Sequence, residues 1–424
     1  MCRRYRLRED GSLERTTCCV AGGGPAGIML GLLLARAGVK VTVLEKHRTF
    51  LRDFRGDTVH PSTLRLLDEL GLGERFAELS SSRLREMRVE IDGTPVVASD
   101  FGRVPGRHKY LAIVPQWDYL NLIATAAAEE PTFELRMSTA ATGLTFGRGG
   151  RVTGVRYERA DGTTGEIAAD LTVACDGRDS VVREAAGLRP DWRHVPMDLW
   201  QIRVPSPNAH ADGHVTAKLG GGQIGMTMDR GGYYQTWYVI EKGRDRELRS
   251  QNIEHFRERL AGLFGWTDGE TDAVLDWDEV KLLDITMGRL RRWYREGLLC
   301  IGDAAHIMTP AGGFGVNLAV HDAVAAARLL AGPLHRGTLT SADLARVQKR
   351  RQLPARAAQK LQSVEHEMLL KPALEGTISS ERMPLLFRLL QRMPALRTAT
   401  AYIGGFGLRS EHAPGFARRD ARAR

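Results

Sequence analysis

Three glycines near the start of the chain have the spacing of a phosphate-binding turn. Gly22, Gly24 and Gly27 fit the pattern G-x-G-x-x-G, and an acidic residue, Glu45, follows further along the chain. In this pattern the first glycine permits a tight turn, the second lets the backbone approach a pyrophosphate, and the third lets a helix pack closely on a strand. The acidic residue is placed to accept hydrogen bonds from a ribose. These residues predict that the chain binds a dinucleotide.

The segments around these glycines can supply the elements that such a turn needs. The sequence predicts a strand over residues 18–21, a helix over 28–37 that ends at Gly38, and a second strand over 39–44. The start of that helix would present free N–H groups and a partial positive charge to an anion. Because strand, turn, helix, strand and acid occur in this order, dinucleotide binding is favoured over a purely structural glycine turn.

Two later segments again place an acidic residue and a glycine after an apolar strand. One predicted strand precedes Asp176 and Gly177, and another precedes Gly302 and Asp303. An Asp-Gly pair alone usually marks only a turn. The second segment, however, continues through the glycine-rich loop 310–317 into a long, alanine-rich helix. A glycine loop therefore leads into a helix N terminus for a second time.

Together the three motifs resemble the fingerprint of class A FAD-dependent monooxygenases, the para-hydroxybenzoate hydroxylase-like and UbiH-like aromatic hydroxylases. The resemblance runs from about residue 17 to about residue 412. It implies an α/β fold in which a Rossmann-type FAD-binding domain carries an inserted antiparallel-sheet substrate domain and C-terminal helices. Three motifs in the right order are far more specific than one.

The pattern between the second and third motifs supports such an insertion. Residues 214–219, 223–228 and 233–240 alternate in character and are separated by glycine-containing turns, which predicts antiparallel strands. The predicted parts of the chain are a flexible leader (1–16), a discontinuous FAD-binding domain (17–82, 102–190 and 285–334), a substrate-binding sheet domain (83–101 and 191–284) and a C-terminal helical region (335–424). A helix is also predicted over 64–72, ended by Gly73.

The resemblance implies that one FAD contacts all three motifs. Arg55, in the segment Phe54-Arg55-Gly56-Asp57, looks like the family's arginine beside the flavin, and Gln116 resembles a glutamine that contacts FAD. The implied cofactor-binding residues are Gly22, Gly24, Pro25, Ala26, Gly27, Glu45, Lys46, Arg55, Gln116, Asp176, Gly302, Asp303, Pro310, Gly312, Gly313, Gly315, Val316 and Asn317.

The last loop has a physical reason to lie against the flavin ring. A reduced flavin carries negative charge near N1 and the C2 oxygen, and a helix that starts at Gly315, Val316 and Asn317 would stabilise it. Glycines at 312 and 313 would let the backbone approach a flat ring. The residues predicted to form the catalytic flavin environment are Arg55, Pro310 and Gly313, with no acid or base assigned.

Candidate substrate contacts are few in the sequence. His60 follows the Arg55 segment and could border the flavin, while strand alternation places Tyr233, Gln235 and Trp237 on one face. That face either lines the substrate cavity or packs into the core, and both interpretations stay open. For His306 a polar role at a helix start is favoured over catalysis. No metal site is predicted.

The implied activity is hydroxylation of an aromatic or polyketide-like small molecule through a C4a-hydroperoxyflavin, with O2 and with NADPH or NADH as a transient electron donor. No second G-x-G-x-x-G motif stands before a predicted helix, as a separate nicotinamide domain would need. Three alternatives remain: an FAD-dependent reductase or dehydrogenase, a halogenase-like enzyme, and a non-catalytic flavoprotein that sequesters its ligand. The halogenase signature G-W-x-W-x-I-P does not occur in the sequence.

Composition argues against disulfide-rich, nucleic-acid-binding and membrane-spanning proteins. The 424 residues are 43% hydrophobic and 26% charged, and the five cysteines lack the spacing of a disulfide framework. The net charge of +9 would attract anionic ligands, but the basic residues are scattered and no nucleic-acid-binding motif occurs. No run of about 18 apolar residues is present. We therefore expect a cytoplasmic enzyme without nucleic-acid or integral membrane association, its oligomeric state open.

Overall fold

A computed structural model describes residues 14–51, 58–79, 82–206, 215–230, 232–272, 274 and 276–419. The strands are β1 (Arg15–Ala21), β2 (Val41–Leu44), β3 (Thr58–Val59), β4 (Ser82–Leu84), β5 (Glu86–Ile91), β6 (Thr94–Asp100), β7 (Leu111–Ile113), β8 (Phe133–Arg136), β9 (Thr139–Phe146), β10 (Val152–Arg159), β11 (Thr164–Ala174), β12 (Pro190–Arg193), β13 (Met197–Pro205), β14 (Val215–Gly220), β15 (Gln223–Asp229), β16 (Tyr233–Glu241), β17 (Lys281–Leu283), β18 (Met287–Leu290), β19 (Tyr294–Arg295), β20 (Leu298–Cys300) and β21 (His306–Ile307). The helices are α1 (Pro25–Arg36), α2 (Pro61–Glu69), α3 (Gly73–Ala77), α4 (Gln116–Ala128), α5 (Val181–Ala185), α6 (Asp245–Arg249), α7 (Ile253–Phe264), α8 (Asp268–Thr271), α9 (Phe314–His335), α10 (Ser341–Glu365), α11 (Lys371–Leu374), α12 (Leu385–Arg392) and α13 (Pro394–Phe406).

The three motifs follow strands of one sheet. Its main order is β19-β20-β11-β1-β2-β8, and β1 pairs in parallel with both β2 and β11. In this register Ala21 lies opposite Leu44 and Ala174, and Ala174 lies opposite Cys300. The carboxyl ends of four neighbouring strands therefore meet at one edge of the sheet. In open α/β sheets this edge is where ligands bind.

The strands at the centre of this sheet are buried on both faces. All four residues of β2 are buried, as are the last four of β1, which is expected for a parallel sheet covered by helices. Helix α1 packs on α9 and on α4, and its apolar residues join one hydrophobic cluster with the strands. This rigid layer fixes the position of the turns that follow β1, β2, β11 and β20.

A second large sheet has the order β17-β13-β16-β15-β14-β5-β6 and combines strands from before and after the second motif. Neighbours are antiparallel except β14 and β5, which are parallel. One face packs on α7, where Trp200, Tyr238 and Phe256 form a buried cluster. The opposite face packs against the C-terminal helices through residues such as Phe387 and Leu390.

Two local predictions are wrong. Helix α2 begins at Pro61 and ends before Gly71, whereas Gly73 starts α3 instead of ending the predicted helix. Pro61 has the backbone angle that a first helical turn needs, and Gly71 takes the left-handed conformation with φ of 71°. His306 lies in the short strand β21, paired with β18, and not at a helix start.

In the described part of the C-terminal region, α13 is the last α-helix. Gly407, with φ of 65°, ends that helix, and residues 407–419 continue as an extended segment with one short 3-10 turn. We call residues 407–419 the C-terminal strap. Among the described residues, one helical stretch, Ala311–His335, is long and apolar enough to cross a membrane by length and composition, but 67% of its most apolar window is buried inside the protein.

Candidate active site

The first glycine turn is built around close backbone contacts. Gly22 has φ of 103°, and a Cβ there would lie 2.4 Å from the carbonyl oxygen of Cys175, which precedes Asp176. A Cβ on Gly27 would lie 1.9 Å from the oxygen of Gly22. Gly24 differs from both, because a Cβ there would meet no described protein atom within 4 Å. The first and third glycines are therefore required by the fold, while the second faces open space.

Glu45 is held against this turn. The side chain is 3% exposed, its Oε2 accepts a hydrogen bond from the N–H of Gly23 at 2.9 Å, and its Oε1 accepts one from the N–H of His47 at 2.9 Å. The carboxylate at the end of β2 is thereby fixed beside the glycine turn, which is the position predicted for a ribose-binding acid. Lys46 next to it is exposed.

Asp176 holds the second motif in shape. Its carboxylate accepts hydrogen bonds from the hydroxyl of Ser180 and from the N–H of Val182, at the start of α5. Burial raises the pKa of Asp176 and outweighs these hydrogen bonds, which lower it. Because both oxygens have partners in its own loop, the side chain shapes the loop beside Gly22.

The third motif touches the first. Gly302 has φ of 58°, and a Cβ there would lie 3.2 Å from Ala319 of α9 and 3.4 Å from Ala26 of α1. The side chain of Asp303 reaches towards Gly315, since its Oδ1 lies 4.0 Å from the position of a Cβ on that glycine. The structure therefore brings the three motifs together at one edge of the parallel sheet.

Helix α9 begins in a loop whose glycines are left-handed. Gly312 and Gly313 have φ of 71° and 63°, and no side chain caps the N terminus of α9. Asn317 ties the first turn to its surroundings: it donates to the carbonyls of Thr58 and Gly313, and it accepts from the N–H of His60 and from Thr63. The side chain of Asn317 is thus used within the protein, while Gly315 and Val316 precede it in the uncapped first turn.

His60 lies beside this loop with one ring nitrogen unused. It is 3% exposed, and its Nε2 has no hydrogen-bond partner among the described residues. That nitrogen would lie 3.6 Å from a Cβ on Gly313, and the ring meets Phe314 edge-on with centroids 6.1 Å apart. Burial lowers the pKa of His60 to about 4, against the opposing effect of a hydrogen bond with the backbone of Gly404. His60 is therefore neutral near pH 7.

The predicted residues of β16 make contacts within their own sheet. Arg203 stacks over the ring of Tyr233 at 4.0 Å, and Gln235 accepts from the guanidinium of Arg230 at 3.2 Å. Trp237 packs on the apolar cluster shared with the C-terminal helices. In the described part of the chain, no hydrogen bond or ring contact joins these side chains to the α9 loop. Their role in substrate binding stays a prediction.

The remaining predicted residues are placed as follows. Pro310 is exposed at the start of the α9 loop, and Gln116 is the half-buried first residue of α4. Arg55 and the rest of segment 54–57 lie outside the described residues, so their predicted contact with FAD stays a prediction. In the described part of the chain, no group of three or more His, Cys, Asp or Glu side chains could hold a metal ion.

One part of the site has no counterpart in the sequence predictions. Asp322 of α9 is fully buried, its Oδ2 accepts from the N–H of Gly302 at 3.2 Å and pairs with His306 Nε2 at 2.6 Å, and its Oδ1 accepts from Arg351 at 2.8 Å. Burial favours the protonated acid, but His306 and Arg351 outweigh it and lower the pKa of Asp322. The only sequence signal was the adjacent pair His321-Asp322 within the largely apolar helix α9.

Comparison with known proteins identifies this arrangement. A family model described as an FAD binding domain matches residues 15–361, and the chain belongs to this family. The protein is an FAD-dependent monooxygenase, and the predicted family, fold class and cofactor are confirmed. The uncapped starts of α1 and α9 and the open space at Gly24 fit a bound dinucleotide, because N–H groups and an unobstructed backbone are what its pyrophosphate requires.

The relatives include enzymes that act on polycyclic compounds. The 6-methylpretetramide 4-monooxygenase of Streptomyces rimosus is 33% identical over 386 residues, covering 90% of each chain. The 12-dehydrotetracycline 5-monooxygenase/anhydrotetracycline 6-monooxygenase of Streptomyces rimosus subsp. rimosus is 30% identical over 318 residues, or 72% of this chain and 60% of that protein. The solved structure of the OxyS anhydrotetracycline hydroxylase from Streptomyces rimosus gives a TM-score of 0.74 at 25% identity, over 94% of this chain and 78% of that one.

Proposed function

We propose that this enzyme hydroxylates a polycyclic aromatic substrate of polyketide type, with NADPH or NADH as the electron donor. The balanced reaction is Ar–H + O2 + NAD(P)H + H⁺ → Ar–OH + H2O + NAD(P)⁺. The observation that carries the proposal is the meeting of three motifs at one sheet edge, beside an uncapped helix start and a buried neutral histidine. The names of the relatives support the substrate class.

In this proposal the first and third motifs contact different parts of FAD, while Asp176 of the second motif shapes the loop beside Gly22. The turn from Gly22 to Gly27 and the N terminus of α1 hold the pyrophosphate, and Glu45 accepts hydrogen bonds from the adenosine ribose. Asp303 binds the ribityl part. Bound FAD supplies the two-electron redox chemistry between NAD(P)H and O2 and the activation of O2, for which protein side chains have no equivalent.

The chain itself contributes charge stabilisation and orientation. The free N–H groups of Gly315 and Val316 point along the axis of α9, so they stabilise negative charge on a ring placed against the loop. His60 is neutral and has a lone pair on Nε2, so it can accept a hydrogen bond from a substrate hydroxyl. With a pKa of about 4 it orients that hydroxyl and is a weak base at neutral pH.

The test begins with purified protein loaded with FAD. NADPH and NADH oxidation is measured with and without phenolic compounds of one to four fused rings, and products are analysed after incubation under ¹⁸O2. We expect polycyclic phenols to accelerate oxidation of one nicotinamide and to acquire one ¹⁸O atom. Products that form equally well without O2, or stimulated oxidation that yields only hydrogen peroxide, would refute the proposed hydroxylation.

His60 gives the test a second part. In His60→Phe the hydrogen-bond acceptor is lost while an aromatic ring remains against Phe314. We expect FAD to bind as in the wild type, and the ratio of hydroxylated product to NAD(P)H consumed to fall, because the substrate hydroxyl is no longer oriented. An unchanged ratio with the preferred polycyclic phenol would remove His60 from the substrate site.

A further inference from the structure

The C-terminal strap is connected to the cofactor turn by buried charges. At the turn, Asp322 accepts the N–H of Gly302 and pairs with Arg351. Arg351 is 1% exposed, and its Nη1 donates to the carbonyl of Arg409 at 2.7 Å and lies 3.7 Å from Oε1 of Glu411. Glu411 is also 1% exposed. The chain of contacts therefore runs from Gly302 to Glu411 without reaching solvent.

Glu411 fixes the strap at its other contacts as well. Both of its carboxylate oxygens accept from Arg350, at 2.7 and 2.8 Å, in a two-point pair. Its backbone N–H donates to Nδ1 of His321 at 3.1 Å, and Nε2 of the same ring lies 3.1 Å from the hydroxyl of Ser62. Since α2 carries Ser62 two positions after His60, a second route leads from the strap to the flavin side of the site.

Each carboxylate in this chain of contacts has more than one basic partner. Asp322 pairs with Arg351 and His306, and Glu411 pairs with Arg350 and also lies near Arg351 and Arg328. Removing one partner of a buried ion pair is costly for the charges that remain. Without the charge of Glu411, the buried guanidinium of Arg351 depends on Asp322 alone for a carboxylate, and Asp322 also accepts the N–H of Gly302 in its left-handed turn.

We propose that the C-terminal strap sets the affinity of this enzyme for FAD, with Glu411, Arg351 and Asp322 acting as positioning residues for the Gly302–Asp303 turn. The strap lies beyond residues 15–361, the part that the family model matches. The proposal rests on FAD binding and not on the identity of the substrate. Because coupling between sites is reciprocal, bound FAD must also hold the strap more firmly in place.

The first experiment measures FAD affinity without substrate, by quenching of flavin fluorescence. In Glu411→Gln we expect the Kd for FAD to rise by about tenfold, within the usual range of couplings between sites. Glu411→Asp keeps the charge and should recover most of the affinity. At saturating FAD the kcat of Glu411→Gln should return to the wild-type value, because the flavin environment itself is intact.

The matched control is Glu69→Gln. Glu69 accepts the backbone N–H of Ala413 at 2.6 Å and pairs with His412, so it anchors the same strap outside the chain of charges to Gly302. We expect the Kd for FAD to stay within a factor of two of the wild type. Equal losses of affinity in Glu69→Gln and Glu411→Gln, or no loss in Glu411→Gln, would overturn the proposal.

The reciprocal effect is measured by limited trypsin digestion. The bond after Arg409 lies in the strap, and the carbonyl of this bond is the one that Arg351 holds. Cleavage there should slow when FAD is added to the wild-type protein and should become insensitive to FAD in Arg351→Lys. Cleavage independent of FAD in the wild type would contradict the coupling. If Glu411→Gln does not fold, Arg350→Lys, whose side chain is 36% exposed, must raise the Kd in the same direction.

Discussion

The candidate functional surfaces of the two large sheets differ in composition: one is formed by backbone and the other by side chains. At the edge of the parallel sheet the site consists of backbone turns, and Gly22 and Gly27 have no room for a side chain. On the seven-stranded sheet the candidate site consists of side chains, and Tyr233, Gln235 and Trp237 already contact neighbours in their own sheet and core. A cofactor site made of backbone is therefore constrained by sterics, whereas a substrate face made of side chains can vary.

The largest effect is expected at Gly27. In Gly27→Val a Cβ would lie 1.9 Å from the oxygen of Gly22, so the turn and helix α1 must separate. We expect protein that contains no FAD and is destabilised by about 1–3 kcal/mol or more, as for other overpacked sites. Absorbance at 450 nm per protein chain and thermal unfolding measure both effects.

The control for this change is Gly162→Ala in the hairpin between β10 and β11. Gly162 also has a positive φ, 80°, but a Cβ there meets no described atom within 4 Å. We expect a loss of about 1–3 kcal/mol from backbone strain with FAD fully retained. If the Gly27→Val protein still bound FAD, the absence of room for a side chain at Gly27 would not define the site at the parallel sheet.

The next largest effect is expected at Glu45. Glu45→Gln keeps the shape of the side chain but removes the charge that the N–H of Gly23 interacts with and that the proposed ribose contact requires. Loss of a hydrogen bond to a charged group costs about 1.5–3 kcal/mol, so the Kd for FAD should rise about 10- to 100-fold. Glu134→Gln, in the neighbouring strand β8 opposite Thr42, should leave the Kd unchanged. If Glu45→Gln and the wild type bound FAD with the same Kd, this carboxylate would not belong to the cofactor site.

A smaller effect is expected on the seven-stranded sheet. In Trp237→Phe part of the indole surface is lost from one face of β16, and we expect kcat/KM to fall by up to about tenfold, as for small changes in apolar pockets. FAD affinity should be unaffected. Tyr238→Phe changes the adjacent residue on the opposite face, against Trp200 and Phe256, and should leave kcat/KM unaltered. Equal effects of the two variants would show that this face does not line the substrate cavity.

The smallest effect is expected at Glu365, the last residue of α10. Burial raises the pKa of Glu365 to about 7 from 4.5, so the folded protein keeps a proton that the unfolded chain releases within this window. Stability conferred by Glu365 is therefore present below pH 4.5 and is lost as the pH rises to 7. Glu365→Gln should raise Tm by roughly 2–4 °C at pH 8, the shift expected for about 1 kcal/mol, and by less at pH 5. A pH-independent difference would contradict this assignment.

The glycine motifs could be recognised in the sequence because the backbone at Gly22 and Gly27 accepts no residue with a Cβ. A Cβ on Gly22 would press against the second motif at Cys175, and a Cβ on Gly27 would press against Gly22 of its own turn. The family resemblance that these motifs carry predicted that the three segments meet. Strand β16 and its two faces were predicted from alternation, which fixes which residues share a face.

The buried charges were not predictable in the same way. The buried charged residues come from separate parts of the sequence, and nothing in their spacing indicates that they meet inside the protein. They are His306, Asp322, Arg351 and Glu411. The predicted helix-start role of His306 is wrong, because this residue pairs with β18 in the short strand β21. Tertiary contacts of this kind depend on the whole fold.

The most direct test of the central claim is Gly24→Asp. The backbone at Gly24 has φ of −73°, which any residue can adopt, and a Cβ there meets no described protein atom within 4 Å. Gly24 is the N-cap of α1, and Asp is a favoured N-cap residue. The Gly24→Asp protein without FAD should therefore be at least as stable as the wild type. If the pyrophosphate of FAD lies on this turn, the added carboxylate must repel it, and the Kd for FAD should rise by about 100-fold or more. A stable Gly24→Asp protein that binds FAD as tightly as the wild type would contradict the account.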